Sequence, residues 1–468
     1  MVEGARNSAL PGAIGGENPK SRGNSETGTE ETASVDSRDE GLNFFMHRMK
    51  LNPQSLSDLA TQQESFGLAW LSAFLKTKER NEDKKIPFEF PRGLDLSGVR
   101  GLSPEEIYIL LNSLPATVEE IKLDSRAVRG RALPLLLNFL KRVAAGREGK
   151  AEAPRLKSFT FAENSLGPEE ASQVLPLLLP SLEYLCLKGN PLGSEGIRAV
   201  AEGVKEGNAA SLRVLDLEAT GFEKEGLETL CEAMREKYMK VATFNLCGND
   251  IGGLEEMQGL CSVLCVSSLP SLRELLVRKC GLTDEVVKPL TESMGRGDLP
   301  NLEVLDLGGN RFVGGFLGDL GGALRVGGVP LLRELRVNDA GNVRPVRRKT
   351  LEAFLGALSA PECPPDLRVR GVCLFYPSLN EEEVRALGAC RYPSIRTRSL
   401  RLSPSQVTPF LQGMNSADKG PKYEMLDLHL CFQENANQEL RLVGDAIEGG
   451  HFCRVRKLGI DTVAIPVG

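Results

Sequence analysis

A period of about thirty residues constrains this chain more than any other feature. An apolar residue is followed three places on by a second and two further on by a third. An Asn often comes three places later, and another apolar residue two beyond it. The pattern runs Leu156, Phe159, Phe161, Asn164, Leu166; then Leu182, Leu185, Leu187, Asn190, Leu192; then Leu212, Leu215, Leu217, Thr220, Phe222. It continues as Val241, Phe244, Leu246, Asn249, Ile251; Leu272, Leu275, Val277, Cys280, Leu282; and Leu302, Leu305, Leu307, Asn310, Phe312. Unit starts at 182, 212, 241, 272, 302 and 332 are separated by 30, 29, 31, 30 and 30 residues. A unit of that length cannot bury its own apolar face and must stack on its neighbours, so the chain builds its core piecewise along a linear array.

Weaker copies begin at Val118 upstream and at Val369, Thr397, Tyr423 and Val455 downstream, where the Asn position holds Pro377, Ser405, Cys431 and Val463. The spacers carry helix start signals: Ser103-Pro104-Glu105-Glu106 and Ser403-Pro404-Ser405-Gln406 have the capping-box pattern with proline at the first helical position, and Asn380 precedes three glutamates. One unit is therefore a short strand, a turn and a helix. Residues 1–42 are rich in Gly, Ser, Glu and Thr and read as a disordered tail. The spacing of Leu56, Leu59, Leu68, Leu71, Phe74 and Leu75 reads as a helical cap over 43–92. Regular units occupy 93–345, and degenerate units with a cap occupy 346–468.

Composition narrows the function. Aromatic residues make up only 5% of the 468, with Trp70 the single tryptophan, so the core is aliphatic. The net charge is −6, of which the tail carries −4, and the nearly balanced remainder gives no field that would attract DNA. The first twenty residues lack an apolar signal-peptide core, and no Asn-x-Ser/Thr sequon occurs, which points to an intracellular, cytoplasmic address. The longest uncharged stretch, Met257 to Leu272, has 16 residues, short of the roughly 20 a membrane helix needs. Eleven cysteines without paired CxxC units read as reduced, mostly buried thiols.

LRVLDLEATGFEKEGLETLCEAM (Leu212–Met234) and LEYLCLKGNPLGSEGIRAVAEGV (Leu182–Val204) resemble the ribonuclease-inhibitor-like class of leucine-rich repeats. The resemblance covers 94–340 well and the remainder loosely. It implies an α/β leucine-rich-repeat solenoid, a horseshoe with a parallel sheet inside and helices outside, whose partners bind the concave face or its rim. The repeated leucines are then core. The recurrent asparagines are structural too, since an inward amide can bond backbone groups left unpaired by a sharp turn.

Strand alternation puts the residues between the core leucines on the hollow side. The central exposed row reads Lys122, Thr160, Cys186, Asp216, Asn245, Leu276, Asp306, Arg336. It is flanked by Tyr184, Val214, Thr243, Glu274, Val304, Glu334 on one side and Lys188, Glu218, Cys247, Arg278, Gly308, Asn338 on the other. Tyr184 is the only aromatic in these rows, and Asp216, Glu218 and Asp306 surround apolar Leu276 and Val304. The expected partner site comprises Tyr184, Lys188, Asp216, Glu218, Asn245, Leu276, Arg278, Val304, Asp306 and Arg336.

Catalytic signals fail individually. The nine glycines of 308–328 contain neither GxGxxG nor a Walker pattern. His47, His429 and His451 are scattered without HExxH or GxSxG, and Arg296-Gly297-Asp298 is too short to mean adhesion. No cofactor and no metal are expected, and the reading is a noncatalytic protein-binding scaffold. The runner-up is a GTPase-activating protein resembling the Ran GTPase activators, which hold a small GTPase at the horseshoe rim, with Arg126, Arg129 and Arg131 as candidate phosphate-facing arginines. That family carries an acidic C-terminal tail, whereas this sequence closes with Asp461-Thr-Val-Ala-Ile-Pro-Val-Gly468. The basic stretch 325–349 adds RNA binding as a third reading, weakened by its lack of interleaved aromatics.

Overall fold

The computed structural model describes residues 92–95, 111, 114, 116–123, 132–150, 153–265, 268–313, 315–337, 348–358, 360–370, 380–388, 395–396, 399–416, 425–433, 437–450 and 455–463. The tail, the cap except its last residue, the Ser103 capping box and the arginines at 126, 129 and 131 lie outside them. So do Asn338 and 339–347 of the basic stretch.

Strands and helices alternate along the chain. The strands are β1 (Gly93–Asp95), β2 (Glu120–Lys122), β3 (Ser158–Thr160), β4 (Tyr184–Cys186), β5 (Val214–Asp216), β6 (Thr243–Asn245), β7 (Glu274–Leu276), β8 (Val304–Asp306), β9 (Glu334–Arg336), β10 (Arg368–Arg370), β11 (Ile395–Arg396), β12 (Ser399–Leu402), β13 (Met425–Gln433) and β14 (Val455–Val463). The described helices are α1 (Ala132–Arg147), α2 (Pro168–Leu178), α3 (Gly193–Lys205), α4 (Lys224–Glu236), α5 (Leu254–Val263), α6 (Asp284–Arg296), α7 (Phe316–Val326), α8 (Arg348–Leu358), α9 (Glu381–Gly388), α10 (Pro404–Asn415) and α11 (Asn437–Glu448). β1 to β11 form one sheet and β12 to β14 a second, in strict chain order, with every pairing parallel. This is an α/β leucine-rich-repeat solenoid.

The template explains the local structure. Its second position aligns Phe159, Leu185, Leu215, Phe244, Leu275, Leu305 and Leu335 across the sheet. All of these are fully buried, as are the first and third positions from Leu182 to Leu307 apart from a slight exposure at Leu272. Replacing one such leucine by Ala would cost about 2–5 kcal/mol.

The asparagines close each turn onto the preceding unit. Asn249 Oδ1 accepts the N–H groups of Thr220 (3.0 Å) and Gly221 (2.9 Å), while its Nδ2 donates to the carbonyls of Leu217 (2.8 Å) and Leu246 (2.9 Å). Asn190 and Asn310 repeat the arrangement. At Cys280 the thiol replaces the amide, donating to the Leu246 carbonyl at 3.3 Å. The residue just before the Asn position is left-handed in six successive units: Glu163, Gly189, Ala219, Gly248, Lys279 and Gly309 all have φ between 52° and 73°. Glycine holds that conformation without strain, whereas the other three side chains do so at a cost.

Two late units are corrected by the strand register. Val369 pairs with Leu335, so it is the second position of a unit beginning at 366, not the first of one beginning at 369. Leu428 pairs with both Leu400 and Leu458, which moves the start expected at Tyr423 to Met425 and puts Gln433, not Cys431, at the Asn position. Leu426, Leu428 and Leu430 alternate, and a slip of two residues keeps the same strand face. The sequence pattern fits both registers there, and strand pairing decides between them.

Helix starts follow the expected signals where they are described. At α10 the backbone N–H of Ser403 donates to Gln406 Oε1 at 3.2 Å, with Pro404 at the first helical position. Among the described residues no helix is long and apolar enough to cross a membrane.

Candidate functional site on the open sheet face

The strand residues on either side of each buried second position point away from the helix layer, and the pairing lines them up in rows. Thr160, Cys186, Asp216, Asn245, Leu276, Asp306 and Arg336 form one row, and Ser158, Tyr184, Val214, Thr243, Glu274, Val304 and Glu334 the next. Lys188, Glu218 and Arg278 follow two residues after their strands. The ten expected site residues therefore share one face, at strand spacings of about 5 Å.

Side chains in these rows hold one another. Asp216 Oδ1 accepts Asn245 Nδ2 at 2.9 Å and the Glu218 N–H at 3.0 Å, and its Oδ2 accepts the Cys186 thiol at 3.5 Å. Glu218 Oε2 takes Lys188 Nζ at 3.0 Å and, at 3.4 Å, Asn245 Nδ2. Three units on, Asp306 accepts the Gly308 N–H (2.9 Å) and Arg336 Nη1 (3.2 Å), while Arg336 Nε donates to Glu334 at 2.8 Å. Half-buried Leu276 and Val304 sit where the two polar clusters meet. Arg278 extends over Gly308, where a Cβ would lie 3.6 Å from its Cγ.

The central row is less open than strand alternation suggests. Cys186, Asn245 and Asp306 retain only 4%, 7% and 6% exposure and are buried. Short side chains bonded to their neighbours along a row leave water little access. Burial raises the carboxyl pKa of Asp216, against the hydrogen bond from the Glu218 backbone. It raises that of half-buried Tyr184 as well, with a hydrogen bond to Thr160 opposing. The hydrogen bond that it donates to Glu218 holds the Lys188 ammonium above its usual range. Burial pushes the Cys186 thiol up to about 12 and the Cys247 thiol to about 11, so neither is a nucleophile at neutral pH. Cys186, Cys231, Cys247, Cys261, Cys280 and Cys363 carry free, buried thiols.

A second row was missed in the sequence reading. The residue after each unit start alternates in charge along one edge of the sheet: Glu119, Lys157, Glu183, Arg213, then neutral Ala242, then Arg273, Glu303, Arg333. Glu119 pairs with Lys157 at 2.9 Å, Glu183 with Arg213 at 3.2 Å, and Glu303 with Arg333 at 3.1 Å and with Arg273. Alternation of sign at unit spacing was the available signal. These pairs are largely exposed, and each contributes little to stability.

Among the described residues no three His, Cys, Asp or Glu side chains converge as metal ligands would. What the face provides is a rigid strip of paired charges around an apolar centre, on an array of stacked strand–helix units. Residues 179–201 match the Leucine Rich repeat family model and residues 301–323 the Leucine Rich Repeat model. The chain is a leucine-rich-repeat protein. Solved structures similar to it include an internalin from Listeria monocytogenes, 12% identical over 80% of this chain and 82% of that one, TM-score 0.31. Another is from the Rad7 and Elc1 complex of yeast, 14% identical over 79% of this chain and 89% of that one, TM-score 0.39.

Proposed function

We propose that this chain is a noncatalytic scaffold of the ribonuclease-inhibitor-like repeat class, which binds a protein partner on the sheet face between Tyr184 and Arg336. The observation that carries the reading is the pre-positioned surface. Lys188, Glu218, Asp216 and Asn245 on one side, and Asp306, Arg336 and Glu334 on the other, are fixed by hydrogen bonds before any partner arrives. Such preorganisation lowers the ordering cost of association, and half-buried Tyr184, Leu276 and Val304 supply apolar contact between the charges. Free buried thiols support a reducing, intracellular setting.

Pairing also bears on the RNA reading. Arg333 and Arg336 of the basic stretch are engaged by Glu303, Glu334 and Asp306, which leaves less positive field for phosphate. Activation of a small GTPase rests on Arg126, Arg129 and Arg131 and is tested separately, by whether GTP hydrolysis is stimulated and lost on Arg129→Ala.

The partner site is tested by affinity purification of the whole chain against a Tyr184→Ala, Lys188→Glu, Leu276→Ser variant whose fold is checked by circular dichroism. These positions are preferable to buried Asp306, whose replacement would remove one of the two carboxylates that hold Arg336. Loss of a defined set of bound proteins is the expected result. Retention of every partner by a folded variant rules the face out.

A further inference from the structure

We propose that the partner presents a basic segment to the open sheet face, its lysine or arginine side chains seated on Asp216 and Glu274 over β5 to β7, an inference that rests on that face being the partner site.

The face carries two equivalent pairs of carboxylates, of which one has its cation. Asp216 and Asp306 stand in the same row, and each accepts the backbone N–H two residues on, from Glu218 at 3.0 Å and from Gly308 at 2.9 Å. What the next strand offers them differs. Across from Asp306 stands Arg336, whose Nη1 donates to it at 3.2 Å, whereas across from Asp216 stands Asn245, whose neutral amide donates at 2.9 Å. Glu334 and Glu274 repeat the contrast in the neighbouring row. Glu334 accepts Arg336 Nε at 2.8 Å from two residues along its own strand, where Glu274 has Leu276 and accepts the Thr243 hydroxyl at 3.2 Å instead. One arginine thus neutralises both carboxylates of the later pair.

The earlier pair has no such group. Among the described residues neither Asp216 nor Glu274 forms an ion pair, and Lys188 beside them is held by Glu218 at 3.0 Å. At the sheet edge, Arg213 is engaged by Glu183 and Arg273 by Glu303. Half-buried Asp216 takes only neutral donors, the Cys186 thiol included, and burial raises its pKa. An apolar partner would strip the remaining water from these carboxylates, whereas a cation offsets that desolvation.

Spacing favours basic side chains over a metal ion. Asp216 and Glu274 lie two strands apart, about 10 Å at ordinary strand separation, which is too far for one ion to bridge. Half-buried Tyr184 and Val214, partners across β4 and β5, lie beside Asp216 and give the aliphatic stems of lysine or arginine a surface to cover.

The test is selection of a random peptide library displayed on phage against the immobilised full chain, followed by fluorescence anisotropy of the recovered peptides. Peptides with two or more lysine or arginine residues are expected. Asp216→Asn with Glu274→Gln should weaken their binding at least about tenfold, and Asn245→Arg, which builds into the chain what Arg336 supplies to Asp306, should block them as well. Glu225→Gln with Glu228→Gln, exposed in the helix layer on α4, should leave them bound. Folding is checked by circular dichroism, and Glu274→Gln alone keeps the test valid if the Asp216 variant fails to fold. Peptides that are lost on Tyr184→Ala but are poor in lysine and arginine, or indifferent to Asp216→Asn and Glu274→Gln, overturn the inference and leave the face as the partner site. A selection that yields no peptide dependent on Tyr184 or on the carboxylates overturns both.

Discussion

The central units, from Leu182 to Val337, and the terminal units, from Ser399 to Val463, share a strand-and-helix plan but leave the strand differently. In the centre each strand is three residues long, and in the units that start at Leu182 to Leu302 the chain then turns sharply through a left-handed residue. In the last two units the strand runs on for nine residues. Phe432 pairs with Thr462 and Gln433 with Val463 at the positions where the central chain has already turned. The difference lies in how the backbone groups beyond the strand are satisfied. Asn190, Asn249 and Asn310 bond backbone groups that a tight turn strands, whereas Gln433 and Val463 occupy the equivalent places at the end of the chain. At Thr220 and Cys280 a hydroxyl and a thiol donate to backbone carbonyls and the tight turn is kept, whereas at positions 433 and 463 strand pairing satisfies the backbone and the strand is longer.

The comparison can be broken at its strongest point. Asn249→Ala removes the acceptor of the Thr220 and Gly221 N–H groups and one donor to each of the Leu217 and Leu246 carbonyls, which keep the Thr220 hydroxyl and the Cys280 thiol, and should cost about 3 kcal/mol in chemical denaturation. Ser405 stands at the same place in its unit but is exposed in the first turn of α10, so Ser405→Ala should change stability by less than about 0.5 kcal/mol. Equal losses would mean that the amide is not what holds the tight turn.

A smaller effect probes the junction. The sheet divides between β11 and β12, while the helix layer stays closely packed: a Cβ at position 388 would overlap the Phe410 carbonyl oxygen. Gly388→Ala should therefore cost about 2 kcal/mol and lower the melting of the terminal units before that of the centre. A single unshifted transition would argue against this contact.

Smaller again, and of opposite sign, is Ala219→Gly. It relieves a left-handed residue with φ 52° and should stabilise by about 0.5 kcal/mol once glycine's entropy is counted. The smallest effect concerns pH. The Asp216 pKa is raised by burial, so its favourable contribution is present below its unfolded pKa and lost as pH rises through the folded value. The melting temperature of Asp216→Asn relative to wild type should accordingly rise with pH across the carboxylate range and level off above it. A constant difference would show that the carboxylate is not penalised by burial.

Much of the fold was legible because the template is redundant: Leu185, Leu215, Leu275 and Leu305 each announce the same position. Legibility failed where that redundancy became ambiguity, as at Leu426, Leu428 and Leu430, which satisfy two registers equally. The rows of the candidate site were readable from alternation alone. Burial at Cys186, Asn245 and Asp306 was not, because it arises from bonds between residues about thirty apart in sequence. The edge row from Glu119 to Arg333 was present as an alternation of charge, invisible within any one unit and plain only when units are stacked.

The amide that reaches backward has a bearing on how such an array changes length. Asn249 serves the Thr220 turn before it and is itself outside that turn's segment, so each unit carries the fastening for its predecessor. Excising a whole unit between matching positions, or duplicating one, brings an incoming amide to the same carbonyl and N–H groups and re-forms the joint unaided. Cuts out of phase sever the fastening. Thr220 and Cys280 are where this interchangeability weakens, since neither side chain supplies the full set of bonds to the turn before it.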